Sequence, residues 1–251
     1  MVSDGVNDGV SGDDRDLPAA SPGPLLASGR AADVYDLGDG TVLRRYRGAH
    51  GDLHLEARVM EYVRSRKYPV PEIHRVEGRD LVMDKVDGPT MLEALERSPW
   101  RVLWYAWRLA RLQRRLAKIP APDWLFAPGV DAEVLGGSQR VLHLDLHPMN
   151  VILSPRQGVH VIDWTNAGAG PAGFDGALSY VEMATVTLPD DSSTSRIGQR
   201  LFVEAFRTFR GRRLIAPYIV AACDHRLADP GTDPDERIAV GELRARHIGR
   251  P

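Results

Sequence analysis

The chain has 251 residues, of which 43% are hydrophobic and 26% charged, with a formal net charge of -2. This is the profile of an ordinary soluble globular protein, long enough to bury a sizeable core as one large domain or two lobes. It disfavours a nucleic-acid or membrane surface as the main partner, and the single cysteine, Cys223, excludes an internal disulfide framework and fits a reducing cytoplasm.

No run approaches the roughly 18 apolar residues of a membrane span, and the acid-bearing start has no apolar stretch of the kind a signal peptide needs. Residues 1–22 are rich in Gly, Asp, Ser and Pro; such a segment cannot repay its ordering entropy and is expected to be a disordered tail. From Leu25 short β segments begin. Leu25-Leu26-Ala27 precedes the small-residue stretch Gly29-Arg30-Ala31-Ala32, Val34 to Leu37 alternates, Gly38-Asp39-Gly40 turns the chain, and Thr41 to Tyr46 returns as a third strand. Small side chains after Gly29 would let backbone donors approach phosphates closely. Residues 51–64 carry apolar side chains at 55, 59, 62 and 63, the spacing of an amphipathic helix. Tyr68-Pro69-Val70-Pro71 breaks it, and strands are expected over 73–76 and 80–84. Thr90 suits the cap of a helix starting at Met91. The longest helical pattern runs from Arg101 to Lys118, with Leu103, Trp104, Trp107, Leu109, Leu112 and Leu116 as its expected apolar face, and 123–139 reads as a loop with a short helical turn.

Val141 to Trp164 reads as two strands around a turn with polar residues at their edges. Pro148 interrupts pairing, Val151-Ile152-Leu153 and Val159 to Ile162 are strand-like, and 154–158 is a turn. Asp145, Asn150 and Asp163 would then lie near one another as oxygen donors suited to a hard cation such as magnesium (Mg2+) with phosphate. The competing reading, a zinc or iron site built from His143, Asp145, His147, His160 and Asp163, leaves Pro148 and Asn150 without a role. Residues 165–173 look too glycine-rich for a regular element, Asp175 is expected to open a helix as its N-terminal anion or cap, and three further helices are expected near 193–209, 212–227 and 235–248. Glu182, Asp190, Asp191 and Asp224 offer acids to a polyamine, but arginines are as frequent there and a mixed solvated surface is the expectation.

His143-Leu144-Asp145, then His147 and Asn150, with Ile162-Asp163-Trp164 following, resembles the H-G-D-x-H-x-x-N loop and later I-D-W element of the aminoglycoside-phosphotransferase family. The spacing matches, while Leu144 stands where glycine is usual. The resemblance implies an α+β, bilobal protein-kinase-like fold: a small β-rich N-lobe over 23–86 that binds ATP and a larger helical C-lobe over 87–251 that binds the acceptor. It implies Asp145 as the catalytic base, a phosphate contact for His147, and Asn150 and Asp163 as holders of magnesium. Gly29, Arg30, Ala31 and Val34 would lie over the nucleotide, and adenine would be read near Met83, Asp84 and Val86. The family's strand lysine is missing, so Arg44, which shares a strand face with Val42, takes its place and pairs with Glu56. His143 is expected to be a packed structural residue. The absence of an A-P-E element favours a small-molecule acceptor over a protein. The expected activity is transfer of the γ-phosphate of ATP to a small-molecule hydroxyl, in a cytoplasmic monomer or homodimer that takes neither nucleic acid nor membrane as a partner. The alternative is a nucleotide-binding pseudokinase that acts by holding a partner, for which the missing lysine and Leu144 speak.

Overall fold

The computed structural model describes residues 22–29, 31–47, 52–126, 136–187 and 192–248. Apart from residue 22, the expected tail lies outside these, as do Arg30, Asp190, Asp191 and residues 127–135 of the expected loop. The N-terminal region is an antiparallel sheet of five strands in the order β1-β2-β3-β5-β4: β1 Leu25–Ser28, β2 Ala32–Asp36, β3 Thr41–Tyr46, β4 Ile73–Glu77 and β5 Asp80–Asp84. Central β3 pairs with β2 and β5, so its alternate residues Val42, Arg44 and Tyr46 face one side, and all three are buried.

Helix α1, Leu53–Ser65, begins where the Asp52 carboxylate accepts from the backbone N–H groups of His54 and Leu55, at 2.9 and 3.1 Å. Its buried face is Leu53, Glu56, Ala57, Val59, Met60 and Val63, turned slightly from the expected one, since Leu55 and Tyr62 are only half-buried. Thr90 caps α2, Met91–Arg97, in a reciprocal capping box with Glu93. Between sheet and helices the chain passes Gly88, where a Cβ would lie 2.4 Å from the Leu153 carbonyl oxygen; only glycine allows that approach.

The rest is mostly helical: α3 Val102–Leu116, α4 Ala172–Thr185, α5 Ser193–Arg210, α6 Arg212–Ile215, α7 Ile219–Ala228 and α8 Pro234–His247. Helix α3 packs along α5, and α4 packs against α5, α7 and α8 around Leu109, Leu116, Phe174 and Phe206. Among the described residues no helix is long and apolar enough to cross a membrane.

Five expectations need correction. The buried face of α3 is Val102, Tyr105, Ala106, Leu109, Ala110, Leu112, Gln113 and Leu116, while Leu103 and Trp104 are exposed: small alanines, not tryptophans, meet the packed α5. Val141-Leu142 belongs to β6, Gln139–Leu142, which pairs not with a neighbouring hairpin strand but with β9, Gly168–Pro171. Strand β9 falls in the stretch that looked too glycine-rich for regular structure, and all four of its residues are buried. The hairpin expected over 151–162 does form, as β7, Val151–Ser154, with β8, Gly158–Val161. Helix α4 starts at Ala172 behind Pro171, so Asp175 lies inside its first turn and caps nothing. Finally, Pro217 breaks the expected 212–227 helix into α6, a 3-10 turn at Ala216–Tyr218, and α7, because proline lacks the N–H that a continuous helix needs.

Candidate functional site

Two polar clusters meet where the sheet faces the loop between β6 and β7. The first is built on β3 and α1. Arg44 is buried, and its guanidinium bridges Glu56 Oε1 at 2.9 Å and Asp163 Oδ1 at 2.8 Å. Glu56 Oε2 accepts from the Tyr46 hydroxyl at 2.5 Å and Thr165 donates to Asp163 Oδ1 at 2.9 Å, with the two hydroxyl oxygens 3.0 Å apart, so five side chains come together around Arg44. Burial opposes the charge of Arg44, but the carboxylates of Glu56 and Asp163 more than offset it and push its pKa above the ordinary value. For Asp163 burial works upward, and the Arg44 guanidinium reverses it, holding the carboxyl below the usual carboxylate range. Sequence reading missed Tyr46 and Thr165; the two-residue alternation from Arg44 was a usable signal for Tyr46, and none existed for Thr165.

The second cluster is the loop itself. Asn150, closing a 3-10 turn at Pro148–Asn150, donates its Nδ2 to the Asp145 carbonyl at 2.8 Å and to Asp145 Oδ2 at 3.1 Å. His147 Nδ1 accepts from the Met149 backbone N–H at 3.3 Å, which leaves the ring proton on Nε2, 3.3 Å from Asp145 Oδ1. The Ile162 backbone N–H donates to the Asn150 carbonyl at 3.0 Å, holding Asp163 beside Asn150. Asn150 Oδ1 and Asp163 Oδ2 make no hydrogen bond among the described residues. Two uncommitted oxygens on adjacent backbones suit a hard divalent cation. Among the described residues no group of three His, Cys, Asp or Glu side chains is placed to hold a metal, so the zinc or iron alternative has no cage.

Leu144 and Asp163 both take left-handed backbone angles, φ +62° and +63°. At Leu144 this explains why glycine would be at home, and what holds a leucine there is Asp175: its Oδ1 accepts from the backbone N–H of Leu144 at 2.8 Å and of His143 at 3.1 Å. Asp175 is seated in turn by Gln113 Nε2 at 3.3 Å, Gln113 by Arg210 Nε at 2.8 Å, and Arg210 by the Ala172 carbonyl at 2.6 Å. Burial raises the Asp175 carboxyl against the pull of the Leu144 N–H and the His143 ring. His143 is fully buried, leans on Trp164 with ring centroids 4.6 Å apart, and is kept neutral by burial. Seven residues beyond Asp175 on the same helix face, Glu182 is buried with Oε2 unpartnered; burial first and the Asp145 carboxylate second push it well above the ordinary range.

The remaining expected residues lie along the sheet. Gly29 and Ala31 sit between β1 and β2, with the Gly29 N–H bonded to the Ala32 carbonyl at 2.9 Å; Val34 pairs across from Arg44. Met83 is buried opposite Val42 on β5. Asp84 binds His74 Nε2 at 2.8 Å through its side chain, and its N–H donates to Glu72. The N–H of Val86 makes no hydrogen bond among the described residues, whereas that of Lys85 is taken by Gly40. Arg30 is outside the described residues.

The model of the phosphotransferase enzyme family matches residues 80–218. Among solved structures, the crystal structure of aminoglycoside phosphotransferase APH(4)-Ia is similar over 90% of this chain and 94% of that one, at 17% identity and a TM-score of 0.62. A thermostable APH(4)-Ia mutant in ternary complex with AMP-PNP and hygromycin B is similar over 91% and 94%, at 15% identity and 0.62. The streptomycin-ATP-APH(2")-IIa complex is similar over 81% and 82%, at 14% identity and 0.53. At these identities the likeness is one of fold, the protein-kinase-like α+β arrangement. No curated protein matches the chain.

Proposed function

The chain belongs to the phosphotransferase enzyme family, and from that premise we propose that it moves the γ-phosphoryl group of ATP, bound with Mg2+, to a hydroxyl of a small molecule. The observation that carries this reading is the loop in which Asn150 orients Asp145 through its Nδ2 while its own Oδ1 makes no hydrogen bond among the described residues. Asp145 is the catalytic base: it takes the acceptor's hydroxyl proton as the acceptor oxygen bonds to phosphorus and the bond to ADP breaks. Its side chain is 27% exposed, so an acceptor reaches it without the loop opening. His147 Nε2–H, beside Asp145 Oδ1, steers the carboxylate and faces the transferred phosphate. Asn150 and Asp163 hold Mg2+, which supplies charge neutralisation on the phosphate oxygens. Arg44 keeps N–H groups to spare beyond those given to Glu56 and Asp163, and these contact the α- and β-phosphates. The uncommitted N–H of Val86 serves the adenine edge, with Met83 and Asp84 beside it, and the Gly29–Ala31 and Val34 hairpin lies above. On this reading residues 23–86 are the nucleotide lobe and 87–251 the acceptor lobe.

Aminoglycosides bound by the similar structures, hygromycin B and streptomycin among them, head the acceptor panel because the fold is shared. The test is ADP release across that panel and a set of simpler amino-alcohols and polyols, with Asp145→Asn beside the wild type. The variant should lose at least about a hundredfold in turnover while nucleotide still raises the melting temperature in a Mg2+-dependent way. Turnover within tenfold of wild type would remove Asp145 from the chemistry.

A further inference from the structure

Helix α3 carries four arginines and no acidic residue, in a chain whose formal net charge is -2. Its outward stripe is not the usual polar one. Trp100, on the 3-10 turn that leads into the helix, is 78% exposed, Leu103 is 52% exposed, and Trp104 is also exposed. At helical spacing the same stripe continues through half-buried Trp107 to Arg108, Arg111 and Arg114. The Arg101 and Arg108 guanidiniums lie 4.5 and 5.2 Å from the Trp104 ring centroid, and Arg111 lies 5.6 Å from that of Trp107. Among the described residues, Arg101, Arg108, Arg111 and Arg114 form no ion pair. Partial burial, and then neighbouring Arg111, lower the Arg108 pKa, as expected of cations crowded together without a counter-charge.

We propose that this tryptophan and arginine face of α3 docks the protein on an anionic lipid bilayer. Indole rings prefer the bilayer interface, where an apolar body and a polar N–H are both accommodated. Arginines on the same stripe reach past the rings to lipid phosphates. Nothing else in the fold asks for this combination. The packing of α3 is met by its opposite face, the candidate site uses only Gln113 from it, and a merely solvated stripe needs neither a tryptophan at 78% exposure nor arginines without carboxylates. The charge is complementary only to an anionic surface. Averaged over the whole chain it vanishes, which is why composition points away from membranes.

The measurement is co-sedimentation of the full chain with vesicles of phosphatidylcholine alone or with about one third phosphatidylglycerol, at low and high salt. Each arginine near an anionic surface strengthens binding about fivefold, so Arg108→Glu with Arg111→Glu should weaken it more than tenfold, and Trp100→Ser with Leu103→Ser should weaken it at unchanged charge. A charge-matched control, Arg79→Glu with Arg213→Glu, lies on other exposed surface and should bind within about twofold of wild type. Circular dichroism checks that each variant is folded. Wild-type fluorescence should shift to the blue on anionic vesicles, and the shift should shrink in Trp100→Phe. Absence of binding to anionic vesicles, equal binding to phosphatidylcholine alone, or equal loss in the control pair overturns the proposal. So does a dimer in sedimentation velocity that Trp100→Ser dissolves, which would assign the face to a second copy. Retention of single-stranded RNA at the expense of vesicles would overturn it likewise.

Discussion

Replacing Leu144 by alanine and by glycine separates two effects that a single variant would merge. Leu144 is 5% exposed and holds φ at +62°. Truncation to alanine removes buried carbon from the core and should cost about 2–5 kcal/mol, while the Cβ that makes the left-handed angle expensive stays. Glycine loses that carbon and the Cβ with it, but releases about 1–2 kcal/mol of backbone strain and costs about 0.5–1 kcal/mol of extra unfolded-state entropy. Leu144→Gly is therefore expected to be destabilising, yet equal to or more stable than Leu144→Ala by up to about 1.5 kcal/mol. At an ordinary strand or helix position the order would be the reverse by about 0.5–1 kcal/mol. Urea unfolding of the three proteins, compared at equal m, reads the difference. If the alanine variant proves clearly more stable than the glycine one, the positive φ is not a strained feature held by Asp175, and the account of how the loop presents Asp145 fails with it.

Arg44→Ala leaves Glu56 buried without its charge partner and should cost about 3–5 kcal/mol, whereas Arg44→Lys, which keeps the charge but loses the planar fork, should cost about 1–2 kcal/mol; thermal melts that find the alanine variant as stable as wild type would refute the buried pair. Asp175→Ala strips the acceptor from two buried N–H groups, at about 1–3 kcal/mol each, and should lower turnover even in the folded fraction, while Asp175→Asn keeps an accepting oxygen and most of the fold; equal turnover in all three would show that the loop needs no such anchor. Glu182 has its pKa raised in the fold, so its contribution is fully present below the ordinary carboxylate value of 4.5 and is lost as pH rises through the raised one. Glu182→Gln should accordingly melt close to wild type near pH 5 and above it at pH 8, and a difference that does not grow with pH would contradict this.

What was legible in the sequence was local. The bounds of β3 followed from alternation between two turns, the start of α2 from a threonine suited to capping, and the meeting of Arg44 with Glu56 from strand alternation together with the resemblance. What was not legible depended on partners far along the chain. Strand β9 is regular because β6 lies beside it, not because Gly-Ala-Gly-Pro favours a strand. Asp175 looked like a cap because caps are the commonest use of an aspartate near a helix start; only the tertiary fold brings the His143 and Leu144 N–H groups to it. Glu182 was counted with the solvated acids, although its seven-residue spacing from Asp175 put it on the same helix face and was there to be read.

The arginine in place of the usual lysine shows how such a departure can be compatible with its surroundings. A lysine ammonium would offer both carboxylates a single nitrogen, but the planar fork of Arg44 gives one nitrogen to Glu56 and the other to Asp163. Tyr46 then takes up the Glu56 oxygen that the fork leaves, while Thr165 adds a second donor to the Asp163 oxygen the fork already holds and Asp163 Oδ2 stays uncommitted. The same reasoning applies at Leu144, where Asp175 compensates for a side chain that the backbone angle disfavours. In both places the change in residue type and its compensation lie on different elements, β3 with α1 and the 163–165 segment in one case, the loop with α4 in the other. A residue-by-residue comparison with the expected motif therefore registers two defects where the folded chain has two compensating hydrogen-bond networks, and it is the compensation, not the match, that bears on whether the site can work.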